Sequence, residues 1–150
     1  MKKILMPIIG AIVIGLILGK VLFSQYEKKL DPVFEEKEKI YVLQQGVYSS
    51  AENVEKHTTN LDYYIVDKDN EYYRVYVAIT HNKDNVEKLK QHYKSKGNDI
   101  YVRELDVKNL EFLELIKQYD LLLESSGDNE IEQIEKQVIS KYEELITRGE

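Results

Sequence analysis

Residues 40–56, IYVLQQGVYSSAENVEK, are answered 32 positions on by residues 72–88, YYRVYVAITHNKDNVEK. Each copy opens on a run of tyrosine and β-branched residues and closes on Asn-Val-Glu-Lys. Short runs of that composition mark strands, because branched and aromatic side chains pack well on a pleated surface. Ser49-Ser50-Ala51-Glu52 and His81-Asn82-Lys83-Asp84 then read as helix starts carrying capping side chains. A further apolar run trails each copy, DYYIV at 62–66 and DIYVREL at 99–105, and Gly97-Asn98 reads as the stop of the second helix. Lys68-Asp69-Asn70-Glu71 supplies a turn between the halves. The repeat therefore predicts β-α-β twice. Two such units interlock as a four-stranded antiparallel sheet with both helices on one face, an α+β fold of the ferredoxin or RNP type over residues 39–105.

Side chains alternate across a strand, so the pattern also predicts which face each residue joins. In the third strand Tyr73, Val75, Val77 and Ile79 form the apolar set expected under the helices, leaving Arg74, Tyr76 and Ala78 on the other side. By the repeat, Leu43 and Val47 point inward and Val42, Gln44 and Gly46 outward, joined by Tyr64, Tyr101 and Arg103. An open face with flat phenols and interspersed planar donors suits a ligand that offers both C–H faces and many hydroxyl or amide groups, which describes a sugar chain. The candidate ligand-binding residues are thus Gln44, Gly46, Tyr64, Arg74, Tyr76, Tyr101 and Arg103.

The string Tyr41-Val42-Leu43-Gln44-Gln45-Gly46-Val47-Tyr48-Ser49-Ser50, followed by an Ala-Glu-Asn helix, resembles the opening of the SPOR (sporulation-related repeat) domain. Tyr73-Arg74-Val75-Tyr76-Val77-Ala78 resembles that family's second leading strand. The match runs from about residue 39 to 105. It departs at Gln45, where the family is normally apolar, and at Ala78-Ile79-Thr80, where Gly-Pro-aromatic is usual. The resemblance implies a βαββαβ fold and binding of peptidoglycan glycan strands that lack stem peptides, by a membrane-anchored protein of cell division or sporulation. It implies Gln44 and Arg74 as polar contacts, with Tyr76 and Tyr101 beside them.

Ahead of the domain, Ile4 to Phe23 is a run of 20 residues interrupted only by Lys20. At about 1.5 Å per residue such a helix spans the roughly 30 Å of a bilayer core. A lysine near the helix end can extend its ammonium to the headgroups. The run exceeds the apolar core of a cleaved signal, and SQYEKK after it offers no small-x-small site, so residues 1–23 are expected to be a retained anchor. Lys2 and Lys3 favour a cytoplasmic N-terminus and a domain outside the cytoplasm, in the cell membrane as a single-pass protein. The charged residues 24–38 read as a stalk.

From Ser24 onward the chain holds 18 basic and 27 acidic residues, and it has no cysteine. Such acidity makes a poor polyanion binder, so nucleic acid is not an expected partner. The absence of cysteine excludes disulfides, thiolate metal sites and a cysteine nucleophile. No HExxH, GxSxG or phosphate loop occurs, and His57, His81 and His92 stand apart from one another, so neither an enzyme nor a cofactor or metal site is expected.

After Leu105 the chain turns strongly acidic, and residues 106–150 read as a helical hairpin. Phe112, Leu115, Ile116, Tyr119, Leu122 and Leu123 form one seam, with Leu113 and Asp120 outside it. Ile131, Ile134, Val138, Tyr142 and Leu145 form another beyond a Ser-Ser-Gly turn. Such stripes pack on each other, on the domain, or on a protein partner or second copy. The last possibility gives the alternative function, a membrane-tethered interaction or scaffold protein.

Overall fold

The computed structural model describes residues 38–149 of the 150-residue chain. The expected anchor, and all but the last residue of the expected stalk, lie outside the described residues; that last residue, Glu38, opens the first strand. Among the described residues no helix is long and apolar enough to cross a membrane.

The elements are β1 (Glu38–Tyr48), α1 (Ala51–His57), β2 (Ile65–Asp69), β3 (Tyr72–Thr80), α2 (Lys83–Ser95), β4 (Tyr101–Val107), α3 (Leu110–Ser125) and α4 (Asp128–Arg148). The four strands form one antiparallel sheet in the order β2-β3-β1-β4, so the βαββαβ reading of the repeat holds. The helix starts are made by the side chains the sequence offered. Ser50 Oγ accepts from the Asn53 N–H at 3.2 Å, and Asn82 Oδ1 accepts from the Asp84 N–H at 2.9 Å. Gly97 ends α2 with φ +84°, and Asn70 takes φ 52° in the β2–β3 turn, the left-handed region that glycine and asparagine enter most cheaply. β2 begins at Ile65, three residues later than the run DYYIV suggested, because Asp62 and Tyr63 bend before the strand starts.

Both faces of the sheet carry a core. Leu43, Val75, Val77 and Ala78 pack with Val54 of α1 and Leu89 and Tyr93 of α2 in a first core. Val42, Tyr76 and Ile79 pack with Phe112, Leu113 and Ile116 of α3 and Val138, Ile139 and Leu145 of α4 in a second. Each side chain of this kind contributes about 1.5–3 kcal/mol on burial, which is why the hairpin settles on the sheet and not in solvent. The expectation of an open sheet face is thereby corrected: the C-terminal helices lie across it.

Alternation fails at two places, and each failure is a β-bulge. Leu43 pairs with Ala78 but Gln44 pairs with Tyr76, which leaves Val77 as an extra residue in β3; Gly46 then pairs with Val75, leaving Gln45 extra in β1. An extra residue reverses the facing of everything beyond it. Val77 and Ala78 consequently share the first core while Ile79 crosses to the second. Gly46 turns toward α1, where an added Cβ would lie 2.5 Å from the Tyr48 hydroxyl. Val47, the neighbour of Arg74, turns the other way and is 43% exposed. The inward placing of Val47 and Ile79 and the outward placing of Gly46 and Ala78 are corrected accordingly.

The hairpin is tied down by charge as well as by apolar contact. β2 pairs with β3 only as far as Ile65 opposite Tyr76, so Ile79 and Thr80 lie beyond its end. There the Glu135 carboxyl oxygen accepts from the Ile79 N–H at 2.8 Å. Asp120 accepts from the Thr80 hydroxyl and from the N–H groups of His81, at 2.9 Å, and Asn82, at 3.0 Å. These two acids do for the uncovered edge of β3 what another strand would do. That service explains why Asp120 is buried although it lay outside the expected seam. Leu113 is buried with it, and Leu122, expected in the seam, is exposed. Lys88 of α2 donates to the Leu123 and Ser126 carbonyls at the C-terminus of α3, where unpaired carbonyls and the helix dipole favour a cation.

Candidate functional site

The seven residues named from sequence divide three ways. Gln44 and Tyr76 share the second face as direct cross-strand partners, but the hairpin buries them to 6% and 1% exposure. Arg74, Tyr101 and Arg103 stay at or near the surface of that face, with Tyr101 63% exposed. Gly46 and Tyr64 belong to the opposite side. The bulge at Gln45 turns Gly46, and Tyr64, which precedes the late-starting β2, packs against the first core. Its neighbour Tyr63 is the one that meets the hairpin, with Lys136 Nζ 5.2 Å from its ring centroid.

The sheet register brings the remaining groups together. Tyr101 pairs with Gln44 and Arg103 with Val42 along the β1–β4 ladder, while Arg74 pairs with Val47 on the other flank of β1. The hairpin covers the end of this face that carries Ile40, Val42 and Ile79, and leaves exposed Tyr72, Val47 and Tyr101 at the other end. Arg103 stands at the border, its Nη1 donating to the Tyr76 hydroxyl at 2.8 Å. Burial raises the Tyr76 phenol above the ordinary tyrosine range, against the opposing pull of that guanidinium, so the hydroxyl is neutral at physiological pH. Arg74 reaches Asp69 at 3.4 Å and otherwise faces solvent in part.

Gln44 is the unusual member. Among the described residues its Oε1 finds no hydrogen-bond partner although it is buried, a condition that costs about 1–3 kcal/mol and is uncommon in native proteins. No sequence signal marks this: glutamine at that position reads as a surface residue until the hairpin is placed over it.

On Tyr76 lies Tyr142 of α4, its ring centroid 6.3 Å away in an edge contact at 68°, and Tyr142 in turn stacks on Phe112 at 5.8 Å. Burial pushes the Tyr142 phenol up to about 12. Sequence reading placed Tyr142 in a helical stripe but gave no reason to put it against the sheet residues. Beside it a crevice of about 280 Å³ opens between Ile40, Leu105 and Phe112 on one side and Leu145 and Ile146 on the other.

The arrangement offers aromatic surface, two guanidinium groups and an amide, and so can stack on and hydrogen-bond a neutral polar ligand. Among the described residues no three His, Asp or Glu side chains gather in a set that could hold a metal ion.

No protein-family model matches the chain, and no curated protein does. A solved structure similar to part of it is the solution structure of the peptidoglycan binding domain of the B. subtilis cell wall lytic enzyme CwlC, with 24% identity, a TM-score of 0.41, and coverage of 45% of this chain and 91% of that one.

Proposed function

We propose that this chain is a membrane-anchored binder of peptidoglycan glycan strands, acting in cell division or sporulation, and that it binds without catalysing a reaction. The observation that carries the reading is Gln44. Its amide oxygen is unpartnered among the described residues, and Gln44 pairs with Tyr76 on one neighbouring strand and Tyr101 on the other, with Arg103 and Arg74 on the same face. An acetamido N–H or a sugar hydroxyl would satisfy that oxygen, a pyranose ring would lie on the Tyr101 phenol, and the guanidinium groups would answer the remaining hydroxyls. The SPOR resemblance of residues 39–105 supports the same ligand, and the apolar run at residues 4–23 supports a location at the cell membrane with the domain outside the cytoplasm.

Co-sedimentation of the full chain with amidase-treated sacculi, which carry bare glycan strands, tests it. Tyr101→Ala combined with Arg74→Ala is expected to weaken binding at least about tenfold, each lost contact being worth on the order of 1 kcal/mol. Equal retention of wild type and double variant would remove the site.

A second reading, a membrane-tethered interaction protein, is favoured by one observation. The outer side of the hairpin exposes Leu121 and Leu122 beside a groove of about 550 Å³ lined by Tyr119, Ile134, Gln133 and Gln137. Loss of complex formation on Leu121→Asp with Leu122→Asp, at unchanged glycan retention, would favour it.

A further inference from the structure

We propose that the last two turns of α4 are an internal occupant of the glycan face, with Tyr142 as the group a sugar must displace. The proposal rests on the glycan reading above and concerns the regulation of that site.

The two halves of α4 are held very differently. In the first half Ile131 and Val138 are wholly buried, Glu135 is bonded to the Ile79 N–H, and Glu132 binds His92 of α2 and Lys96 just past its end. In the second half the side-chain bonds run within the helix itself, from Lys141 to Glu144 and from Thr147 to the Glu143 carbonyl. Leu145 is buried in the second core, Tyr142 and Ile146 are partly buried at its margin, and the 280 Å³ crevice opens beside this end. Apolar contacts, with no side-chain hydrogen bond to another element among the described residues, hold this end, and helix ends held in that way open at lower cost than the rest of a fold. The helix can therefore lift from about residue 142 onward without disturbing its anchorage at Ile131 and Glu135.

What that movement uncovers is specific. Tyr142 lies against Tyr76, the cross-strand partner of Gln44, and so presents an aromatic ring where a pyranose would otherwise rest. Gln44 Oε1, next to Tyr76 in the register, is buried without a donor among the described residues, and the proposed displacement of the helix end would let a ligand N–H or O–H reach it. Ligand and helix end then compete for one surface, and weakening the helix end raises apparent affinity by enlarging the open fraction.

The test uses the full chain with Tyr142→Ala and, separately, Leu145→Ala, each checked for an intact fold by circular dichroism. Both are expected to bind bare glycan strands released from amidase-treated sacculi about tenfold more tightly than wild type. In wild type, those strands are expected to accelerate amide hydrogen exchange over residues 142–148. Binding equal to or weaker than wild type in both variants, or exchange slowed or unchanged by the strands, overturns the internal occupant while leaving the glycan reading standing. Absence of strand binding by wild type and both variants overturns the glycan reading itself, and the occupant with it.

Discussion

The carboxyl group of Glu135 reaches from α4 to the backbone N–H of Ile79 at 2.8 Å, a fully buried acid serving the edge of a strand 56 residues away. Its other oxygen finds no partner among the described residues. Burial raises its pKa well above the ordinary carboxylate value, outweighing the hydrogen bond from Ile79, so the folded protein keeps this group neutral where the unfolded chain ionises it.

The pH dependence follows from that difference. The folded state holds the Glu135 proton more tightly, so its contribution is full below the unfolded value of 4.5 and is lost as pH rises through the folded value. Urea melts across that range should show stability falling as pH rises, and Glu135→Gln should flatten this dependence while keeping an acceptor for Ile79. Glu135→Ala should cost about 2–4 kcal/mol by leaving a cavity and an orphaned N–H. An unaltered pH slope in Glu135→Gln would count against this account.

Glu132 behaves in the opposite sense. Burial works against its charge, but hydrogen bonds involving Asp62, Lys96 and His92 hold its carboxyl down to about 2. Its stabilisation is present above the unfolded value of 4.5 and is lost as pH falls from there toward 2. Glu132→Gln should remove that acid-side loss, on the order of 1 kcal/mol after allowance for solvent screening, as measured by denaturant melts below pH 4.5.

Asp120 serves four donors at once, the Thr80 hydroxyl, the Asn85 side-chain amide and two backbone N–H groups at the start of α2. Asp120→Ala should cost about 3 kcal/mol, since each buried donor left unpaired carries its own desolvation penalty. Hydrogen exchange should locate the damage at His81 and Asn82. Loss spread evenly over the fold would contradict the assignment.

Gly46 is required by a ring and not by its backbone angle. A Cβ there meets Tyr48 at 2.5 Å, and that ring is fixed by stacking on His57 at 5.1 Å and by its hydroxyl donating to Gln45 at 2.8 Å. Gly46→Ala should cost about 1–3 kcal/mol, and much less in a Tyr48→Ala background. Thermal melts of the four-member cycle give the coupling directly.

The repeated Asn-Val-Glu-Lys and its flanking strands made the βαββαβ order legible, because local composition and capping residues agree with the sheet that forms. Ser50 and Asn82 cap the helices they precede, and Tyr101 and Arg103 face the side that alternation assigned them. Gly46, Val47, Ala78 and Ile79 were misassigned because a single inserted residue in each strand reverses parity and leaves no mark in composition. The hairpin was legible as two stripes, but its seat on the second face depends on Tyr142 meeting Tyr76 and Glu135 meeting Ile79, contacts between distant residues that no local pattern carries. Hence Gln44 and Tyr76 could be grouped from sequence while their concealment could not.

The paired bulges at Gln45 and Val77 set a frame for any comparison by residue counting. Above them odd and even positions mean one thing, and below them the opposite, so β1 and β3 are each two short strands written in different phase. Removing Gln45 would leave Gln44, Gly46 and Val47 in plain alternation on the faces they now occupy, so the inserted residue is the one that a count along β1 must skip.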